Sequence, residues 1–147
     1  MRASVNVVGA KELRNAIEKL PQEIQKRALK SALTLGARVI AKNARKRARK
    51  ESGALKKSIG LVVRSKPNDQ YAVIGARSGF TTEYKGKMRN PAKYAHLVEF
   101  GTSTAPANPF LRPAVEESRQ EVFNKMSQGI EKAVDRAVKK FRTKGKF

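Results

Sequence analysis

The stretch of sequence that does most to define the fold runs from Tyr94 to Ala114 and reads YAHLVEFGTSTAPANPFLRPA. Gly101 can adopt backbone angles that other residues avoid, and Thr102 can bond nearby backbone groups. The chain is therefore expected to turn sharply here. Prolines at positions 106, 109 and 113 stiffen the path beyond the turn, and Phe110 is suited to anchor that path in the core or on a neighbour.

A long amphipathic helix is predicted beyond this stretch, opening at Pro113. Its apolar residues recur at helical spacing and form one stripe, which comprises Val115, Val122, Met126, Ile130, Val134, Ala137 and Phe141. Acidic residues gather near its start, where the positive end of the helix dipole favours them, at Glu116, Glu117 and Glu121. Residues 143–147 are expected to fray as a flexible basic tail.

Two further helices are predicted on the N-terminal side. An alternating pattern over residues 3–7 first suggests an opening strand that stops at Gly9. Helical spacing then begins at Lys11, and Pro21 is expected to break or kink the helix and to open a second, longer one. The apolar residues of this region are Leu13, Ile17, Leu20, Ile24, Ala28, Leu35 and Val39. The second helix carries a basic cluster, residues 42–50, at its C-terminal end.

A hairpin is predicted between the helices, with strands from Leu55 to Arg64 and from Tyr71 to Gly75 joined by a turn-prone segment. Residues 76–93 show no clear period and are expected to form a surface loop. The predicted fold class is α+β, with long N-terminal and C-terminal helices packed on one face of a small, mostly antiparallel sheet. Residues 1–142 are expected to form a single domain.

The charge of the chain is strongly one-sided. The formal net charge is +21, from 33 Lys and Arg against 12 Asp and Glu. Such a field attracts nucleic acid, anionic membranes or acidic proteins and repels copies of the same chain, although a charged surface can also serve only for solubility. The chain contains no Cys and no apolar run long enough to span a membrane, so we expect a soluble, unexported protein.

The basic residues fall in clusters that predict contact with DNA or with a partner. The candidates are Lys42, Arg45, Lys46, Arg47, Arg49 and Lys50, and, in the loop, Arg77, Lys85, Lys87 and Arg89. Aromatic residues are not interleaved with these clusters, and no zinc-finger spacing or RNA-binding motif is present. Any contact with nucleic acid is therefore expected to be made through phosphates, without reading sequence.

Catalytic motifs are weak in this chain. His96 is the only histidine, and Glu99 lies three residues further on, close enough to form half of a metal or acid–base site if the segment is helical. Ordinary packing and hydrogen bonding is the stronger interpretation, because a working site needs more ligands. Residues 75–79 lack the lysine of a phosphate-binding loop. No enzyme activity, metal or cofactor is predicted.

The order of three motifs resembles the neck and tail-completion protein family of long-tailed phages, which includes tail components and minor tail proteins of the lambda Z type. The motifs are residues 53–59 (GALKKSI), 94–102 (YAHLVEFGT) and 109–114 (PFLRPA). The resemblance extends from about Lys11 to the end of the last predicted helix. The residues that match the family signature are Glu99, Phe100, Gly101, Thr102, Pro109, Phe110, Arg112 and Pro113.

The resemblance implies a structural virion protein that forms a homo-oligomeric ring at the neck, between the DNA-filled head and the tail. Its implied partners are head-closure and tail-terminator proteins, with possible non-specific contact with genomic DNA and none with membrane. The implied location is the virion, and the host cytoplasm during assembly. The basic clusters would line a DNA passage or meet an acidic neighbouring ring, and self-repulsion predicts that the isolated protein is monomeric at low salt.

Two alternatives remain open from the sequence. One is a stand-alone, non-specific nucleic-acid-binding protein, associated with the nucleoid or the ribosome, whose charge is its whole function. The other is a small basic toxin or nuclease, which the single histidine and the lack of a carboxylate cluster disfavour.

Overall fold

A computed structural model describes residues 10–67 and 69–143 of the chain. The predicted opening strand at residues 3–7, and all of the predicted tail except Thr143, lie outside the described residues. The helices are α1 (Ala10–Glu18), α2 (Gln22–Arg47), α3 (Ala54–Ser58), α4 (Ala95–Phe100) and α5 (Leu111–Thr143). The strands are β1 (Ile59–Lys66), β2 (Asp69–Ala76), β3 (Thr82–Tyr84) and β4 (Lys87–Arg89), and a single 3-10 turn covers Pro91–Lys93.

The two long helices, α2 and α5, pack against each other in antiparallel directions. The side-chain amide of Asn43, near the end of α2, donates a hydrogen bond to the hydroxyl of Ser118, near the start of α5 (2.5 Å). Near the middle of the pair, a Cβ added at Gly129 would lie 3.1 Å from the Cα atom of Ala32. The helix backbones therefore approach closely at Gly129, and Ala32 is fully buried beneath it.

The break at Pro21 is confirmed. α1 ends at Glu18, α2 begins at Gln22, and the Pro21 carbonyl accepts a hydrogen bond from the N–H of Gln25 (2.9 Å). Proline has no N–H to donate and a fixed φ, so it fits just before the first turn of a helix. α2 ends at Arg47, because Ala48 is extended; Arg49 and Lys50 of the basic cluster thus lie beyond the helix.

The predicted hairpin is confirmed, but the predicted start of its first strand is wrong. β1 and β2 pair antiparallel from Ile59 opposite Ala76 to Lys66 opposite Asp69. The four residues before Ile59 belong instead to the short helix α3, in which the Ser58 hydroxyl donates to the Leu55 carbonyl (2.7 Å). Leu55 and Ile59 are four residues apart, a spacing that fits both one helical turn and strand alternation, so the pattern could not separate the two.

The prediction of a surface loop over residues 76–93 is also wrong in part. β3 and β4 form a second small hairpin, with Tyr84 opposite Lys87. Both turn residues, Lys85 and Gly86, have positive φ (51° and 71°), which is the geometry of a type I′ turn. Strands of three residues are too short for alternation to be visible in the sequence.

The core lies where α2, α3, β1 and the start of α5 meet. It is built from small and medium apolar residues packed around Phe110, which is the largest fully buried side chain described. The cluster comprises Ala41, Ala44, Ala48, Leu55, Ile59, Phe110 and Ala114. α2 packs on both strands of the first hairpin and on α5, so the predicted α+β arrangement of long helices on a small antiparallel sheet is confirmed. No helix among the described residues is long and apolar enough to cross a membrane.

Candidate functional site

The signature segment forms a short helix followed by a closed turn. α4 ends at Phe100, and the N–H of Gly101, which follows it, donates to the Leu97 carbonyl (2.8 Å). Gly101 has φ 76° and ψ 178°, a backbone region that is essentially restricted to glycine. A Cβ at this position would lie 2.7 Å from the backbone nitrogen of Ala107. Only glycine therefore fits here, because both the backbone angles and the returning chain exclude a side chain.

The turn after Gly101 is held by its own hydrogen bonds. The N–H of Thr102 donates to the Ala105 carbonyl (2.8 Å), and the Thr102 hydroxyl oxygen accepts from the N–H of Ala105 (3.0 Å). Further along, the N–H of Asn108 donates to the Val98 carbonyl (2.8 Å) and ties the end of the turn back to α4. These bonds fix the direction in which the chain enters α5.

The carboxylate of Glu99 caps the start of α5. One of its oxygens accepts hydrogen bonds from the N–H groups of Phe110 (2.7 Å) and Leu111 (2.9 Å), and the other accepts from the N–H of Arg112 (2.9 Å). Glu99 is only 4% exposed. The first N–H groups of a helix have no partner within the helix and carry partial positive charge, so a carboxylate satisfies both needs.

Glu99 is ionised in this arrangement. Burial alone would raise its pKa, but the hydrogen bonds from the N–H groups of Leu111, Arg112 and Phe110 and the charge of Arg112 together lower the pKa below its ordinary value. The guanidinium of Arg112 lies 3.8 Å from the carboxylate. The closest partners of Glu99 are therefore backbone N–H groups, and the charged Arg112 side chain lies further away.

The outer side of α4 presents two large apolar residues to solvent. Phe100 is 60% exposed and Leu97 is 43% exposed. The Arg112 guanidinium lies 4.6 Å from the centre of the Phe100 ring, within the range of a cation–π interaction. Glu99 therefore holds α4 from the inside while Leu97 and Phe100 face outward. We call these two residues the α4 apolar face.

A second exposed apolar pair lies on the first hairpin. Val62 on β1 is directly opposite Val73 on β2, and the two side chains are 45% and 47% exposed. Residues one position away, such as Leu61 and Ile74, pack on the core instead. The pair thus belongs to the outer face of the hairpin. We call it the hairpin apolar face.

Three of the predicted DNA or partner contacts have structural roles. Arg45 donates to the Ile59 carbonyl through two nitrogens (3.1 and 2.7 Å), which ties α2 to β1. Arg77 donates to the carbonyls of Ser58 (3.2 Å) and Lys57 (3.0 Å). Arg47 forms an ion pair with Glu117 of α5. These three arginines cross-link the fold.

The remaining predicted contacts are exposed. None of their charged groups lies within 4.0 Å of a carboxylate in the part of the chain that the structure describes. They fall in two places, the end of α2 with the residues after it and the second hairpin. They are Lys42, Lys46, Arg49, Lys50, Lys85, Lys87 and Arg89.

His96 and Glu99 do not form a joint site. Both lie on α4, but His96 is exposed to solvent and Glu99 is buried against the start of α5. Over residues 10–67 and 69–143, no three His, Cys, Asp or Glu side chains converge as metal ligands would. Glu99 instead binds backbone N–H groups at the start of α5. The spacing of side chains in the sequence does not indicate this role.

An exposed aromatic residue with an apolar neighbour, on a helix held by a buried carboxylate, is suited to contact with another protein. The chain matches a family model described as "Bacteriophage HK97-gp10, putative tail-component" over residues 11–101. This span is more than half of the chain, so the protein belongs to this family of bacteriophage tail components. The resemblance to a phage tail-component family is thereby confirmed, and family membership implies a place in the virion. No curated protein and no solved structure matches the chain.

Proposed function

We propose that this protein is a ring-forming subunit of the phage neck that joins the head to the tail or completes the tail. Family membership supports a tail component, and the α4 apolar face is the observation that carries the step to ring assembly. An exposed aromatic residue on a rigid, buried frame is the kind of group that dominates binding energy when it is covered by a partner.

A closed ring needs two different surfaces on each subunit, because a head-to-tail contact joins unlike patches of neighbouring copies. The α4 apolar face and the hairpin apolar face occupy different places in the fold and supply two such patches. In our proposal, Phe100 of one subunit inserts near Val62 and Val73 of the next. Other surfaces of the ring meet head-closure and tail-terminator proteins, and assembly takes place in the host cytoplasm. The role is structural and uses no cofactor.

The experiment that tests this proposal is deletion of the gene from the parent phage, followed by electron microscopy of the lysate. Separate DNA-filled heads and tails that join when purified protein is added back would support a head–tail joining role. Normal particles from the deletion phage would refute it.

A surface variant sharpens the test. Leu97→Ser combined with Phe100→Ser removes the α4 apolar face, and we expect it to abolish the joining of heads and tails. Val138→Ser is the matched control, because Val138 is an exposed valine (44%) on α5, beyond the matched residues. Both proteins should show the same helical circular dichroism. Full joining by the double variant would remove the α4 apolar face from the proposal.

A free nucleic-acid-binding protein is the alternative that the charge alone would support. Membership in a family of phage tail components favours the virion role, because a stand-alone nucleic-acid-binding protein would not be expected to match that family. A toxin or nuclease is disfavoured for the same reason.

A further inference from the structure

A basic groove runs between α2 and α5, away from the clusters that the sequence brought forward. The open space between its walls is about 440 Å³. Five cations line it: Arg27, Lys30 and Arg38 from α2, and Lys132 and Arg136 from α5. The hydroxyl-bearing residues Ser31 and Thr34 lie between them, and Leu35 is the only large apolar residue in the lining. We call these five cations the groove cations.

Helix geometry brings the groove cations together. Positions 27, 31, 34 and 38 follow one another by three or four residues, so they share one face of α2. On α5, Lys132 and Arg136 follow Gly129 by three and seven residues and share the side on which α5 approaches α2. The close approach at Gly129 thus places cations from both helices along one groove.

The groove cations are not neutralised by the protein. Within the described ranges, none of them lies within 4.0 Å of a carboxylate, although Glu131 and Asp135 are neighbours of Lys132 and Arg136 along α5. All five are exposed. A row of uncompensated positive charge in a concave surface concentrates the field and attracts an anionic ligand.

We propose that this groove binds the phosphate backbone of duplex DNA. Arg27 and Arg38 are eleven residues apart on α2, a rise of about 16 Å at 1.5 Å per residue. Along a duplex, that length holds about five phosphates per strand. The spacing of the groove cations therefore allows each of them to contact a different phosphate. The hydroxyl groups of Ser31 and Thr34 supply neutral donors to the same DNA backbone.

An acidic protein is the less favoured ligand. The cores of protein–protein interfaces are depleted in charge and enriched in aromatic residues, whereas DNA interfaces are more polar and more positively charged. The groove lining contains no aromatic residue. By the same criterion, the α4 apolar face suits a protein and the groove suits DNA.

This inference rests on the proposed function only for the source of the DNA, which would be the genome that leaves the head. Binding itself is a property of the isolated protein. It is tested by measuring the affinity for a mixed-sequence duplex of about 30 base pairs, by fluorescence anisotropy, over a range of about 50 to 500 mM salt.

The groove variant combines Arg27→Gln, Arg38→Gln and Arg136→Gln. Loss of three phosphate contacts should make the slope of log K against log salt shallower by about 2.7. If the two proteins bind equally at 1 M salt, this slope corresponds to about 500-fold weaker binding at 0.1 M salt. The control of equal charge combines Lys42→Gln, Lys46→Gln and Lys50→Gln. It removes three cations from the cluster that the sequence predicts to contact DNA, so it sets the groove against that rival site. If the groove carries the binding, this control should keep most of the slope. Should the groove variant fold poorly by circular dichroism, Arg136→Gln alone should reduce the slope by about 0.9.

Three outcomes would overturn the proposal. The first is no binding of duplex by the wild-type chain at the lowest salt. The second is an equal or larger loss in the control variant, which would mean that total charge or residues 42–50 carry the binding. The third is equally tight binding of poly-glutamate at the same charge concentration, which would point to an acidic protein. Wild-type protein that joins heads to tails without binding duplex would refute only the groove, and groove-dependent binding without joining would refute only the neck role.

Discussion

Replacing Glu99 by glutamine tests the central contact of the site, because it removes the charge and keeps the shape of the side chain. The carboxylate accepts three backbone hydrogen bonds at 2.7 to 2.9 Å. A glutamine amide has one oxygen, so it can keep the two bonds to Phe110 and Leu111 or the single bond to Arg112, but not all three. The NH₂ group of the glutamine, which is itself a donor, would then face the backbone N–H group that has lost its acceptor.

The magnitude follows from these bonds. In the better orientation, two charge-assisted hydrogen bonds become neutral ones, a loss of about 1 kcal/mol each, and the third is lost at about 1.5 to 3 kcal/mol. The lower desolvation cost of a neutral amide offsets part of this sum. We expect Glu99→Gln to lower the free energy of unfolding by about 3 kcal/mol, which is about 6 to 12 °C in Tm for a chain of this size.

Thermal and urea unfolding at neutral pH, followed by circular dichroism, measures this loss. The matched control is Glu121→Gln, which removes the same charge from an exposed position on α5, the helix that Glu99 caps. Surface substitutions usually change stability by less than about 0.5 kcal/mol. If Glu99→Gln is no more destabilising than Glu121→Gln, the cap does not hold the start of α5 and our account of the site is wrong.

The pH dependence gives a second, independent check. The folded state lowers the pKa of Glu99, so its ionised form adds stability that is fully present above the ordinary value for glutamate, about 4.3. That stability disappears as the pH falls through the lower pKa of the folded state. The difference in stability between the wild type and Glu99→Gln should therefore be constant near neutral pH and shrink below about pH 4. A difference that stays constant on acidification would contradict the role of the charge.

Three further predictions follow from other contacts. Gly101→Ala should cost about 2 to 4 kcal/mol in unfolding experiments, because its φ of 76° excludes a side chain and the new Cβ would lie 2.7 Å from Ala107. Gly129→Val should destabilise by about 2 to 3 kcal/mol by forcing α5 away from Ala32, whereas Gly129→Ala should lose much less because alanine favours helix by about 1 kcal/mol. Nuclease-treated protein should sediment as a monomer at low salt, because each copy carries +21 charges; a stable ring under those conditions would show that assembly needs no partner or DNA.

The long helices could be predicted because their patterns extend over many turns. Val122, Met126 and Ile130 of the predicted stripe do pack against α2. The helix α5 begins two residues earlier than predicted, at Leu111. The earlier start has a physical cause, since Glu99 accepts the N–H groups of residues 110–112. A cap supplied from eleven residues away leaves no trace in local sequence, whereas a cap from the preceding residue does.

The sequence identified residues of the candidate site but not the contacts that they make. Glycine and prolines marked the turn correctly. The sequence predicted only ordinary packing and hydrogen bonding for Glu99, because its partners are backbone groups, which every residue carries. The groove cations were also missed as a set, since they lie on two helices far apart in sequence, and only Arg136 among them belongs to a dense basic run, residues 136–146. Residues 42–50 form such a cluster, yet Arg45 and Arg47 in it are used to hold the fold together.

The two proposed surfaces are joined by the same helix. Glu99 links the α4 apolar face to the start of α5. On α5, Lys132 and Arg136 of the groove lie about four to five turns beyond Ser118, which contacts Asn43 of α2. The α2–α5 packing around Ala32 and Gly129 does not depend on Glu99, because it is made by other residues about five turns beyond the start of α5. Damage to the cap should therefore loosen the α4 apolar face and leave the groove intact. A Glu99→Gln protein that has lost head–tail joining but keeps the wild-type salt dependence of DNA binding would separate the protein-binding role from the DNA-binding role within one chain.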